Sequence, residues 1–161
     1  MPIGLCLGPR ATSALLALAA YVAIVLVSNL KYPANPPFVG NPETIGLRTG
    51  LFFLMLLLSV AALVLAAVAA RRLSARYGTW NAMLIAGAAF IIVIGIVQLA
   101  LPEINEVPEN FSAVVLWRFR VASLGIQAVL WMTIGLLFGA LTERSVANRF
   151  SERVSVRAAS R

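Results

Sequence analysis

The sequence has no histidine and no aspartate, one cysteine (Cys6) and one lysine (Lys31) in 161 residues. Without imidazole there is no general base of the usual kind and no ordinary transition-metal ligand set. A lone thiol excludes an intrachain disulfide. There is no G-x-S-x-G elbow, P-loop or H-E-x-x-H motif, so no catalytic constellation forms and an enzyme is not expected. Charge is also scarce, at 12% of residues, against about 25% in soluble domains.

Apolar residues fill the space that charge leaves, at 61% of the chain with a mean hydropathy of +0.92. The charges that remain are segregated, leaving charge-free runs at 11–30, 49–70, 77–102 and 121–142. About 20 apolar residues at 1.5 Å rise cross about 30 Å of hydrocarbon. The runs are rich in Leu, Ala and Val without strand-like alternation, and lipid permits no unpaired backbone. The expectation is an all-α polytopic membrane protein, a bundle of four transmembrane helices over about 11–30, 49–70, 81–101 and 121–141. Residues 1–141 then form the membrane domain and 142–161 a basic cytoplasmic tail.

Connections carry their own signals. Pro9 suits the first turn of a helix, where its missing N–H has no partner to lose. Pro33, Pro36, Pro37 and Pro42 exclude helix from the first connection. Arg71, Arg72 and Arg76 read as a basic turn closed by Gly78. Val146, Phe150 and Val154 recur every four residues in the tail, which reads either as a basic surface helix or as a solvated end.

Sorting the charges by face puts nine cations with the N-terminus, second connection and tail, and four (Lys31, Arg48, Arg118, Arg120) on the other side. The positive-inside rule then places both termini in the cytoplasm. The net charge of +7 is therefore a topology signal, with membrane lipids as the partner of the basic face and no nucleic acid implied.

Polar groups within the spans are few. Gln98 and Gln127 must each find a partner in hydrocarbon, by helix–helix hydrogen bonding or as the lining of a path. Gly135 and Gly139, four apart, mark a helix-packing face, as do Ala62, Ala66 and Ala70. Glu103, Glu106 and Glu109 form the acidic cluster of the outer face, where carboxylates either concentrate a divalent cation or pair with nearby arginines. Trp117, Arg118 and Arg120 read as an interfacial anchor, with rings at headgroup level and cationic heads reaching water or phosphate, or else as an anion site or a latch to the glutamates.

The loops carry a family likeness. Lys31 to Thr49 (KYPANPPFVGNPETIGLRT), Trp80-Asn81-Ala82 and Leu101 to Trp131 (LPEINEVPENFSAVVLWRFRVASLGIQAVLW) resemble the CbtA family of predicted cobalt transporter subunits. The resemblance implies a multi-pass protein of the bacterial plasma membrane with a cobalt ion as cargo and no resident cofactor. It also implies a small His-bearing partner of the CbtB kind. The family's additional N-terminal spans and His/Glu-rich stretch have no counterpart here, so an N-terminally shortened member is expected. Two functions follow: a permease component for divalent metal uptake, or a non-transporting accessory subunit packed in a larger membrane complex.

Overall fold

The computed structural model describes residues 8–37 and 39–159, with side chains through Asn148. Regular structure among them is helical, with no strand. Helix α1 (Pro9–Lys31) starts on Pro9 and contains a π-helical turn, Tyr21–Leu26, where the Val27 N–H reaches back five residues to the Val22 carbonyl. Helix α2 spans Ile45–Ala100 and α3 spans Ala113–Ala159. The tail therefore continues α3 as helix. Phe150 and Val154, on which its amphipathic reading depends, have side chains outside the described set.

Pro9–Lys31, Ile45–Ala100 and Ala113–Asn148 are long and apolar enough to cross a membrane. The charge pattern anticipates four separate helices, whereas the expected spans 49–70 and 81–101 lie in one helical stretch. The basic segment between them does not unwind, because Arg, Leu and Ala are strong helix formers and cations near a helix C-terminus are favourably placed in its dipole. Gly78 alone leaves helical geometry, at φ 78° and ψ 160°, a region where a side chain would be strained.

That break turns α2 back on itself. In a straight helix Met55 and Ile94 would lie about 58 Å apart, yet both belong to one buried cluster with Val27, Tyr32 and Ala62. The two arms face each other through stripes of helical period, Met55, Ser59 and Ala62 on one and Ala82, Ala86 and Ile94 on the other. Small residues dominate these stripes because in lipid, helices associate by close packing rather than by escaping water.

Helix α1 joins the remaining elements. Its Pro9–Ala20 part packs along α3, and Val27–Lys31 packs on α2. The π-helical turn sits between the two and touches both neighbours. An extra residue per turn there rephases the helix, so that the face meeting α3 through Ser13 differs in register from that burying Ala23, Val25, Val27 and Ser28.

Polar contacts fall at two levels. At one, Arg10 Nε lies 2.6 Å from Glu143 Oε2. At the other lie Lys31, Arg48, Glu103, Glu106 and Arg120, joined through the first connection. From Arg10 to Lys31 along α1 is about 32 Å, and from Arg120 to Glu143 along α3 about 35 Å, close to the thickness of a bilayer's hydrocarbon core.

Candidate functional site

The second polar level is the most built part of the molecule. Arg48 lies in the first turn of α2, where a cation opposes the helix dipole and no acidic residue offsets it. Its compensation comes from across the chain. Arg48 Nη1 donates to Glu106 Oε2 at 3.1 Å, and Nη2 donates to the Pro33 carbonyl. The other carboxylate oxygen of Glu106 accepts from the Thr44 hydroxyl at 2.7 Å. Thr44 thus spends its hydroxyl on Glu106 rather than on capping α2. The Glu106 side chain is 1% exposed and that of Arg48 19%, so both charges are largely withdrawn from water and each depends on the other.

Two further ties close the same level. Arg120 of α3 donates from Nη2 to Asn35 Oδ1 at 3.1 Å and from Nε to the Ala34 carbonyl at 3.4 Å. Tyr32 is buried and donates to the Pro102 carbonyl at 2.8 Å. Burial raises its pKa above the ordinary phenol range, which keeps it a protonated donor. The proline-rich connection supplies free carbonyls because it forms no helix, and two arginines use them. All three helices are pinned together at this end.

Glu103, Glu106 and Glu109 are not brought together as one cation site. Glu103 has a 91% exposed side chain with Lys31 Nζ at 3.6 Å, Glu106 is committed to Arg48 and Thr44, and Glu109 is exposed. No group of three His, Cys, Asp or Glu side chains placed to hold a metal ion occurs among the described residues. The physical reason is competition: a buried carboxylate without a cation would be costly, and Arg48 is the cation in reach.

Gln98 and Gln127 are also apart. Gln98 donates from Nε2 to the Val27 carbonyl at 3.3 Å, tying α2 to α1. Gln127 is exposed on α3 and makes no hydrogen bond to another described residue. Trp117 is 69% exposed and Arg118 exposed, whereas Arg120 turns inward to the connection. Gly135 and Gly139 lie against α1. A methyl group on Gly135 would come 2.5 Å from Ala17 Cβ, and one on Gly139 would come 3.0 Å from the Arg10 Cα. Ser13 donates to the Gly135 carbonyl at 2.7 Å across this crossing.

Beside the crossing run two apolar grooves of about 200 and 240 Å³, which meet Trp131 and Met132 on one side and Ile134 and Phe138 on the other. They offer no unpaired charge to a metal ion. Sequence reasoning passed over Thr44, Arg48 and Tyr32. The signal for Arg48 was present in its position, a cation at a helix N-terminus that demands an acidic partner from elsewhere.

No curated protein and no solved structure matches the chain. The family described as "Probable cobalt transporter subunit (CbtA)" matches residues 4–143, covering α1, α2, the polar level that joins them to α3 and the membrane-length part of α3, and the chain belongs to that family.

Proposed function

We propose that the chain is the permease component of a divalent-cobalt uptake system in a bacterial plasma membrane, crossing the bilayer four times with both ends cytoplasmic. The reversal at Gly78 and the membrane-like separation of the two polar levels support four crossings. The excess of cations beside Arg10 and in the second connection supports the orientation. On this reading the Arg48–Glu106 level faces outward.

The observation that carries the transport reading is the division of labour among the outward carboxylates. Glu106 is withdrawn and holds the helices together, while Glu103 and Glu109 stay in water. Exposed carboxylates raise the local concentration of a divalent cation without binding it tightly, which suits a first encounter. Selective coordination falls to a partner, since imidazole and thiolate suit cobalt better than isolated carboxylates. A small His-bearing membrane subunit of the CbtB kind has that chemistry.

The test is cobalt accumulation in cells. Replacing Glu103 and Glu109 together by Gln reduces uptake at unchanged protein abundance, and the loss shrinks as ionic strength rises, because screening already acts within about 8 Å at physiological salt. Uptake equal to wild type removes the capture role. A second reading, an accessory subunit that moves nothing itself, is favoured by the absence of a three-ligand metal group among the described residues. It wins if deleting the gene leaves cobalt uptake intact but destabilises a co-purifying membrane protein.

A further inference from the structure

Helix α3 is the least covered of the three, and its exposed side has a pattern of its own. Ser123, Gln127, Leu130, Ile134, Leu137 and Leu141 follow one another at spacings of 4, 3, 4, 3 and 4 residues. That is a heptad seam, the repeat that two helices present to each other when they coil left-handedly. Leu130, Ile134, Leu137 and Leu141 are 51%, 49%, 60% and 61% exposed. The seam lies well around the helix from Gly135 and Gly139, which face α1; Ser123 is half-buried and Ile134 borders the groove beside that crossing, and the rest of the seam is uncovered among the described residues.

Within the seam stands Gln127, seven residues beyond Arg120 and so about 10 Å into the apolar layer. An exposed carboxamide there has no water to bond, and among the described residues it has no protein partner. Three other amide side chains on the membrane-length helices have acceptors within the chain: Asn29 donates to the Val25 carbonyl, Asn81 to the Tyr77 carbonyl and Gln98 to the Val27 carbonyl. A polar residue ahead of an apolar heptad run, as Gln127 is to Leu130, Ile134, Leu137 and Leu141, is also the device that sets register and partner number in coiled coils.

We propose that this seam is the interface for a second copy of the same chain, with Gln127 paired to Gln127 across a two-fold axis normal to the membrane. A carboxamide is self-complementary: the N–H of each copy donates to the carbonyl of the other, giving two reciprocal bonds. The positive-inside bias orients both copies alike. Parallel helices related by that axis put the two amides at the same depth without any further assumption. A second copy is the one partner certain to carry a matching group at that level, and symmetric pairs are the commonest assemblies.

Cysteine crosslinking in native membrane vesicles tests this, in a Cys6→Ser background. Leu130→Cys and Leu137→Cys, on the seam, form an oxidised product of twice the 17.2 kDa chain. Val129→Cys, 64% exposed at the same depth but off the seam, does not. Adding Gln127→Leu to Leu130→Cys lowers the dimer's association constant about tenfold, the value of two membrane hydrogen bonds, as read by the protein-to-lipid ratio needed for half crosslinking in phosphatidylethanolamine–phosphatidylglycerol vesicles. Gln127→Asn largely restores it. Equal crosslinking at Val129 overturns the seam, and Gln127→Leu without effect overturns the amide's role. A seam crosslink only to a protein of different mass assigns the surface to another subunit and overturns the two-fold pairing.

Discussion

The Arg48 guanidinium and the Glu106 carboxylate meet at 3.1 Å although 58 residues separate them in the chain. One stands at the first turn of α2 and the other just beyond its end, so the pair closes the hairpin at the end opposite Gly78. Because Thr44 and Pro33 complete the same cluster, one buried ion pair joins the proline-rich connection, both arms of α2 and the acidic connection that follows.

Removing one partner of this pair leaves the other buried and uncompensated. Glu106→Gln is expected to destabilise the fold by about 3 kcal/mol, read as a lower thermal midpoint in detergent and lower abundance in membranes. Arg48→Lys fares little better, since an ammonium lacks the planar fork that serves Glu106 and the Pro33 carbonyl together. Glu103→Gln, at a 91% exposed side chain, shifts the midpoint by little.

The α1–α3 crossing is set by the absence of side chains. Gly135→Ala places a methyl 2.5 Å from Ala17 Cβ and is expected to lower abundance, while Ala17→Gly in the same molecule recovers most of the loss. Gly95→Ala, with nothing within 4 Å, is neutral or mildly stabilising because alanine favours helix. A double variant no better than Gly135→Ala alone would falsify the close-approach account.

At Gly78 the requirement is conformational. With φ at 78° and ψ at 160°, a region essentially reserved for glycine, and open space around the Cβ position, Gly78→Ala costs about 1–3 kcal/mol through backbone strain alone. A midpoint unchanged from wild type in detergent would show that the reversal does not depend on that angle.

Orientation is read by impermeant thiol labelling in intact cells lacking Cys6. A cysteine at Ser112 is expected to react and one at Ser74 to be protected, because nine cations lie on the Ser74 side against four on the other. The reverse pattern turns the molecule over and places the Arg48–Glu106 level in the cytoplasm.

Much of this architecture is one-dimensional information. Helical class follows from apolar runs too long and too even for strands, and α1 ends within about two residues of the expected 11–30 because Pro9 and the prolines after Lys31 bound it chemically. The family likeness rests on the connections, where Pro, Asn, Glu and Arg positions are distinctive in a chain otherwise made of Leu, Ala and Val.

What the chain alone determined, then, is that its long apolar segments are helical and where Pro9 and the prolines after Lys31 bound the first of them, since both depend on local composition. Only the tertiary structure decided which carboxylate meets which arginine. Arg118 and Arg120 are nearer in sequence to the glutamates, yet Arg48 takes Glu106 and Arg120 turns to Asn35, because the fold of α2 brings Arg48 back beside the loop that follows it. Tertiary packing likewise sent Gln98 inward to the Val27 carbonyl and left Gln127 uncovered. Two amides of identical chemistry fare differently according to which helix face the neighbouring helix covers, and that is set by packing across the bundle rather than by spacing along it.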